Sequence, residues 1–230
     1  MDNYKKKLKE WYNSIADRYD SWGERDKECA VGELTEEIKQ FNKFLDLISI
    51  SPNTKILDVG TGTGIYLLEI LKRGGEGFGI DISDRMLDIL RKKIEHTRKA
   101  KQINELKVGE AAKLEYPDNF FDIIICMGVF DYYHFNKVRI FLREMIRVGK
   151  NEAYIIVDFP NIHNKKVYEF QEKERSIGHE VHIHKTEEII KFLKLCRLEI
   201  LAKHNAGIEI QFLLKIKKND TPRTEVRGIF

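Results

Sequence analysis

Short apolar runs alternate with longer segments of mixed polarity along most of this chain. The run Asp122–Met127 has no polar residue after its first position, which indicates a strand buried on both faces. Alternation of such strands with helices predicts a largely parallel sheet that carries helices on both faces. The predicted strands are Lys55–Val59, Gly77–Asp81, Glu105–Gly109, Phe121–Met127 and Glu152–Asp158.

Between these runs, apolar residues recur every three or four positions, which is the spacing of a helix with one buried face. Thr35 and Ser83 stand where they would cap such helices. The predicted helices are Leu34–Ser49, a segment from Ser83 to about Thr97, Asn136–Val148 and Thr186–Cys196. Near the carboxyl end, Leu198–Ala202 and Ile208–Ile216 flank a short polar stretch that contains glycine, which predicts an antiparallel hairpin.

Length and composition limit the kind of protein. A chain of 230 residues suffices for one α/β domain and is too short for two large ones. The content of 42% hydrophobic and 33% charged residues excludes a disordered chain, and no apolar run approaches the about 18 residues of a membrane span. We expect one domain over residues 1–217, with a helical cap at 1–50, a lid-like insert at 160–185 and a loose tail at 218–230.

Charge and cysteine content bear on partners and location. The net charge of +3 is small beside 40 basic and 37 acidic residues, so a nucleic-acid partner is not expected. The lysine-rich residues 1–10 lack the apolar core of a signal peptide, and we expect their lysines on a solvated helix face. Cys29, Cys126 and Cys196 are few and widely spaced, as free thiols in a reducing cytoplasm would be. We expect a cytoplasmic monomer or homodimer with no membrane attachment.

The first predicted strand leads into glycines at alternate positions, Gly60, Gly62 and Gly64. Three alternate glycines exceed what a turn requires, so we interpret this turn as a ligand cradle at the start of a helix. The dinucleotide pattern G-x-G-x-x-G is absent in either frame, and no P-loop lysine follows. Asp81 ends the next apolar run, where its carboxylate can accept both hydrogen bonds of a ribose diol.

With these features, the chain resembles the class I S-adenosylmethionine-dependent methyltransferases from about Trp11 to Lys217. The amino-terminal and third blocks are similar to the small-molecule branch that includes quinone-biosynthesis methyltransferases. The resemblance implies S-adenosylmethionine as cofactor and a doubly wound, mostly parallel seven-stranded α/β sheet of Rossmann-like methyltransferase type, with an antiparallel carboxyl-terminal hairpin and an amino-terminal helical cap. Its strongest blocks are Trp11–Asp20, Ile56–Gly64, Asp81 and Val108–Asp122.

The resemblance implies cofactor contacts at the glycine turn and in the second strand. Gly60, Thr61 and Gly62 would shape the wall beside the methionine portion. Asp81 would hold the ribose; the alternative is a helix cap near Ser83. Asp58 would either accept from the cofactor's ammonium group through water or order the loop.

Further contacts are implied on both sides of the adenine. Ile82 and Met86 would cover the ring or, equally, belong to the core. Glu110 stands where the family usually has aspartate; it would accept from the exocyclic amine, with the Ala111 N–H on a ring nitrogen, or else lie in solvent. Cys126 or Met127 would line the central cavity or simply pack in the core.

In the amino-terminal block, the resemblance places an aromatic residue over the amino-acid end of the cofactor. Tyr19 is the first candidate and Tyr12 the second, and the alternative for both is ordinary inward packing from a surface helix.

The acceptor side has a weaker signature. His134 follows the fourth strand, where ligands bind in open parallel sheets, and is the candidate general base; a plain loop histidine is as good an interpretation. The neighbouring Phe130, Tyr132 and Tyr133 would supply aromatic walls.

Four histidines occupy the insert after the fifth strand: His163, His179, His182 and His184. His182 and His184 share a face if the segment is extended, so the pattern is compatible with a metal site that includes His163 or with a lid over the acceptor. No cysteine or close carboxylate completes the ligand set and methyl transfer needs no metal, so we expect a lid and no metal ion.

These interpretations predict transfer of the methyl group of S-adenosylmethionine to O, N or C of a small, possibly aromatic acceptor by in-line displacement, with S-adenosylhomocysteine as product. Two alternatives stay open at this point. One is an RNA or protein methyltransferase of the same fold, and the other is a non-catalytic S-adenosylmethionine-binding protein.

Overall fold

The structure is a computed structural model that describes residues 3–21 and 34–218. Seven strands form one sheet in the order β3-β2-β1-β4-β5-β7-β6. Strands β1 to β5 are parallel, and β7 runs antiparallel between β5 and β6. The strands are β1 Lys55–Val59, β2 Glu76–Asp81, β3 Ile103–Val108, β4 Phe121–Cys126, β5 Gly149–Pro160, β6 Leu198–Ala206 and β7 Glu209–Ile216.

Helices cover both faces of this sheet. The helices are α1 Asn3–Ile15, α2 Leu34–Leu45, α3 Ile65–Ile70, α4 Asp84–Ile94, α5 Phe135–Val148, α6 Lys166–Ser176 and α7 Thr186–Leu195. One core cluster joins α2, α3 and α4 to one face, and a second joins α5 and α7 to the other. Short 3-10 turns lie at Ala16–Ser21, Arg98–Lys101 and Phe130–Tyr132. The predicted fold class is confirmed, since a doubly wound, mostly parallel sheet carries an antiparallel hairpin at its carboxyl end.

Most element boundaries lie within three residues of their predicted positions. The exceptions are β6, which extends to Ala206 instead of ending at Ala202, and the α2 helix, which ends at Leu45 instead of Ser49. Its last turn tightens, with the Leu47 and Ile48 N–H groups donating to carbonyls only three residues earlier. Strand β5 begins at Gly149, where that residue pairs with Phe121, although a positive φ of 66° at Glu152 interrupts the strand.

Helix α1 lies over the carboxyl edge of the parallel strands. Its Leu8 and Ile15 are buried. Lys5 is also buried, at 7% exposure, and pairs with Glu110. The expectation that every lysine of this helix is solvated is therefore wrong at Lys5. The carboxylate of Glu110, in the turn after β3, holds the Lys5 ammonium group in the interior.

The insert after β5 contains α6, which is absent from the predicted elements. The tail predicted at 218–230 lies outside the described residues except for Lys218, whose ammonium donates to the carbonyl of Gly149 at 2.5 Å. Cys29 also lies outside them, and Cys126 and Cys196 are free thiols. No described helix combines the length and the apolar character that a bilayer crossing requires.

Candidate active site

A cavity opens at the carboxyl ends of β1, β2 and β4, with α1 across it. This is the edge at which open parallel sheets bind ligands. Its lining consists of Lys5, Leu8, Tyr12, Tyr19, Val59, Gly60, Gly62, Ile80, Asp81, Ile82, Met86, Gly109, Glu110, Ala111, Ala112, Met127, Gly128, Val129, Tyr132, Tyr133 and Phe141.

The glycine turn forms one wall of this cavity. Gly60, Gly62 and Gly64 have φ values of 77°, 52° and 86°, so the backbone alone favours glycine at all three positions. The expectation that the turn needs fewer glycines is therefore wrong. Space distinguishes the three positions: a Cβ on Gly60 or Gly64 would clash with Val129 or Leu90, whereas one on Gly62, which lines the cavity, would meet no atom within 4 Å.

Asp81 joins this turn to the start of α4. One carboxylate oxygen accepts from the Gly62 N–H at 2.9 Å, and the other accepts from the Ser83 N–H at 2.7 Å. Burial raises the pKa of Asp81 to about 6, although these backbone N–H groups oppose the rise. Ser83 itself caps α4 by accepting from the Met86 N–H, so Asp81 is not the capping residue. A carboxylate offers about four acceptor positions, so Asp81 can accept from a further donor beside these backbone N–H groups.

Two predicted contacts lie behind the turn and do not line the cavity. Thr61 donates its hydroxyl to the Asp58 carboxylate at 2.9 Å, and both residues are buried. Burial raises the pKa of Asp58 to about 7. This arrangement matches the loop-ordering alternative for Asp58, and its contact with the cofactor's ammonium group stays a prediction.

The predicted adenine contacts Ile82, Met86, Glu110 and Ala111 all line one end of the cavity. The Glu110 carboxylate is 39% exposed and pairs with the buried Lys5 of α1, which also lines the cavity. Glu110 is thus held by the helical cap and is not simply solvated. A donor such as an exocyclic amine would compete with, or add to, this ion pair.

Tyr12 and Tyr19 lie side by side in the lining, with ring centroids 6.2 Å apart. Burial raises the pKa of both phenols, so they stay neutral. The adjoining segment is held by side chains on the sheet side: Asn13 accepts from the Ser83 hydroxyl at 2.6 Å, and Asp20 accepts from the Thr63 hydroxyl at 2.6 Å. These bonds fix the two tyrosines opposite the glycine turn.

The other end of the cavity is formed by the loop after β4. Met127, Gly128, Tyr132 and Tyr133 line it. Cys126 does not, because its side chain is fully buried in the core. Phe130 is likewise a core residue, packed against Phe159 with centroids 5.3 Å apart, so it supplies no wall.

His134 has no place in the cavity lining. It is exposed at the start of α5, and its ring lies against His182 with centroids 3.7 Å apart. Its role as a general base stays a prediction that this position does not favour.

The four histidines of the insert are dispersed. His179 is buried beside Glu174, with its Nδ1 2.7 Å from the carboxylate, and packs edge-on to Trp11. His163 lies near Thr186, and His184 stacks on Phe135. Within residues 3–21 and 34–218, His163, His182 and His184 therefore do not form a common metal site. Among the described residues, His182 instead lies close to His134 and Glu180.

Sequence reasoning missed a group of acids behind the loop after β4. The carboxylates of Asp131, Asp158 and Glu209 lie within 4.8 Å of one another and are buried. Burial, then the neighbouring acids, raises the pKa of Asp131 to about 7 and that of Asp158 well above its usual range. Acidic residues within apolar strand ends were the available signal, but no single motif unites residues from three parts of the chain.

The comparison with known families agrees with this geometry. Residues 57–157, which contain the glycine turn, Asp81 and the loop after β4, match the family model described as methyltransferase domain. Residues 57–157 carry a methyltransferase domain. The resemblance inferred from the sequence is confirmed at this level, and S-adenosylmethionine is the cofactor of the family.

Curated relatives of the domain include quinone-biosynthesis enzymes. A ubiquinone/menaquinone biosynthesis C-methyltransferase of Geotalea daltonii is 30% identical over 66% of this chain and 62% of its own length. A demethylmenaquinone methyltransferase of Deinococcus radiodurans is 34% identical over 46% of this chain and 43% of its own length. The chain thus spans less than two thirds of these relatives.

Among solved structures, magnesium protoporphyrin IX methyltransferase from Synechocystis PCC 6803 with bound S-adenosylhomocysteine has the same fold. Its TM-score is 0.73 at 16% identity, over 91% of this chain and 98% of that chain. The methyltransferase domain described here has residues that fit the cofactor, because Gly62 leaves room beside its Cα and Asp81 offers acceptors for a diol.

Proposed function

We propose that this protein transfers the methyl group of S-adenosylmethionine to a small acceptor molecule that enters at the Met127–Tyr133 end of the cavity. One observation carries the proposal. A single cavity runs from Asp81 and the open side of Gly62 to the loop after β4, so a cofactor and an acceptor can share it.

Under this proposal the residues of the chain bind and orient. Asp81 accepts from the ribose hydroxyls, Glu110 accepts from the adenine amine, and Gly62 gives the methionine portion access to the backbone. Helix α1 shields the site, because Leu8 and Tyr12 lie between the cavity and the outer surface of the cap. Exclusion of water and alignment of the reacting atoms are the contributions that a methyl transfer needs from the protein.

The bound cofactor supplies an electrophilic methyl group and a neutral leaving group. In-line displacement then requires the protein mainly to align the acceptor atom with the methyl group and its leaving group. Tyr12 and Tyr132 have pKa values raised by burial, so they act as neutral hydrogen-bonding and packing groups. No step of this proposal uses His134.

The chemistry of the acceptor end supports a compact, partly apolar acceptor. Tyr132, Tyr133 and Phe141 give it aromatic walls. The two curated relatives named above are quinone-biosynthesis enzymes, which is consistent with a ring-bearing acceptor. The attacking atom, O, N or C, stays open within this proposal, as do the cytoplasmic location, the monomeric or dimeric state and the lack of a nucleic-acid partner.

The test is methyl transfer from labelled S-adenosylmethionine into a cell extract that is then fractionated. We expect protein-dependent label in the small-molecule fraction, and loss of that label with Asp81→Ala. The matched control is Asp88→Ala, which removes an exposed carboxylate from α4 outside the cavity. Label on RNA or on protein would favour the alternative acceptors, and binding without any labelled product would favour a non-catalytic role.

A further inference from the structure

Three carboxylates meet in the interior next to the acceptor end of the cavity. Asp131, Asp158 and Glu209 are 3%, 1% and 5% exposed, and their oxygens lie within 4.8 Å of one another. Burying like charges together is costly unless a cation or protons compensate them. No Lys, Arg or His in residues 3–21 or 34–218 forms an ion pair with Asp131 or Asp158.

A fourth buried oxygen, in the Gln211 side chain, lies on the same face of the sheet as Asp158 and Glu209. Gln211 is fully buried and is the register partner of Asp158 across β5 and β7. Opposed residues of an antiparallel pair point to the same face, and Glu209, two positions earlier, shares that face. The Gln211 amide nitrogen donates to the Glu37 carbonyl at 3.1 Å. This bond occupies the nitrogen and leaves the amide oxygen as the acceptor of the side chain.

This amide oxygen has no hydrogen-bond donor within the described part of the chain, and neither does one oxygen of Asp131. Buried polar atoms normally have a partner, so unpartnered acceptors beside carboxylates indicate that a positive group belongs among them. The negative character extends further, because Glu37 of α2 and Glu174 of α6 contribute charge near Asp131.

We propose that Asp131, Asp158, Glu209 and the amide oxygen of Gln211 bind a divalent cation of the oxygen-preferring class, Mg²⁺, Ca²⁺ or Mn²⁺. The ligand set contains only oxygen, which these ions prefer and which zinc or copper sites rarely use alone. Oxygens bound to one such ion at about 2.0–2.6 Å lie no more than about 4–5 Å apart. The separation of up to 4.8 Å fits this limit.

The position of the ion relates it to the acceptor. The Asp158 carboxylate accepts from the Gly128 N–H at 2.8 Å, and Gly128 lines the cavity. Asp131 lies in the same loop as Tyr132, a lining residue. Four protein oxygens leave coordination positions of such an ion for water or for an oxygen of the acceptor. This last role rests on the proposed methyl transfer; the binding of the ion does not.

The experiment is a calorimetric titration of chelator-treated, dialysed protein with MgCl₂, CaCl₂ and MnCl₂. We expect one ion per chain for at least one salt, and at least a tenfold loss of affinity in Asp158→Asn and in Glu209→Gln. The control is Glu180→Gln, in the exposed group of His134, Glu180 and His182, which should leave affinity unchanged. Affinity for S-adenosylhomocysteine, measured on the same samples, reports whether each variant is folded.

Three results would overturn the inference. The first is the absence of binding for all three salts in the wild-type protein. The second is unchanged affinity in a folded Asp158→Asn or Glu209→Gln, and the third is loss of binding in Glu180→Gln. A parallel titration with methylammonium chloride separates an organic cation from a metal, since binding of methylammonium alone contradicts the metal assignment. If both acidic variants fail to fold, the wild-type and Glu180→Gln titrations still test whether the protein binds a metal and whether the exposed group binds it.

The same measurements separate this inference from the proposed function. Intact S-adenosylhomocysteine binding with no metal bound would overturn this inference and leave the proposed methyl transfer standing.

Discussion

The two ends of the cavity are built in different ways. At the cofactor end, the cavity wall is formed mainly by backbone. The turn at Gly60–Gly64 and the carboxylate of Asp81 come from β1, β2 and the loop between β1 and α3. At the acceptor end, side chains from α1, the loop after β4 and α5 meet, and their positions in the sequence are far apart. A ligand shared by a whole family can be held by a local motif, whereas a specific acceptor is recognised by a surface assembled from distant residues.

The strongest way to break the cofactor end is to remove its carboxylate. Asp81→Ala should weaken binding of S-adenosylmethionine more than tenfold, about 1.4 kcal/mol or more, because the Gly62 N–H also loses its acceptor. Calorimetry measures the effect, with Asp88→Ala as the control. Equal affinity of the two variants for S-adenosylmethionine would show that Asp81 does not contact the cofactor.

Substitutions at Gly62 and Gly64 distinguish a glycine that leaves room for a ligand from a glycine that packing requires. Gly64→Ala should lower the free energy of unfolding by about 2 kcal/mol through left-handed strain and a clash with Leu90, with little change in affinity. Gly62→Ala carries similar strain, about 1 kcal/mol, but its methyl group would fill ligand space and should weaken binding several-fold. Urea unfolding and calorimetry measure both. If Gly62→Ala and Gly64→Ala change the affinity for S-adenosylmethionine to the same extent, the cofactor does not lie against the open side of Gly62.

Docking of the helical cap is tested at its buried lysine. Lys5→Met should lower the free energy of unfolding by about 1 kcal/mol, because the Glu110 carboxylate loses its partner. Lys6→Met changes an exposed lysine of the same helix and should stay within about 0.5 kcal/mol of the wild type. Urea unfolding measures both variants, and similar losses would contradict the role of the Lys5–Glu110 pair.

Titration of the cofactor end gives a smaller effect. Burial raises the pKa of Asp58 to about 7 and that of Asp81 to about 6, so the folded chain holds these protons more tightly than the unfolded chain. Their contribution to stability is complete below the unfolded value near 4 and is lost as the pH rises through 6 to 7. The free energy of unfolding should therefore fall between about pH 4 and 7. Asp58→Asn should reduce that fall by about 1 kcal/mol, and an unchanged slope would show that Asp58 does not titrate in this range.

The smallest expected effect is at His134. Since this residue lies outside the cavity, His134→Ala should leave labelled methyl transfer within about twofold, or 0.4 kcal/mol, of the wild-type rate. The labelled extract assay measures it, and Asp81→Ala provides the inactive reference. A loss of a hundredfold would restore His134 as a base and would require the loop to move.

The contrast between the two ends also explains what the sequence could predict. Strand β1 is predicted to the residue, and the cofactor turn follows it directly, so a local pattern was enough. The inward position of Lys5 depends on Glu110, which lies more than a hundred residues later. The acids Asp131, Asp158 and Glu209 meet only because β7 inserts beside β5. Helix α6 escaped prediction because its apolar face is weak: among its residues, only Val167 and Glu174 are buried.

One structure would test the central claim most directly, a crystal structure of this protein with S-adenosylhomocysteine. We predict that the ribose hydroxyls donate to Asp81, that the amino-acid portion lies beside Gly62, and that the sulfur faces the loop that contains Gly128 and Tyr132. A ribose that makes no contact with Asp81, or a sulfur directed away from that loop, would contradict the assignment of the two ends.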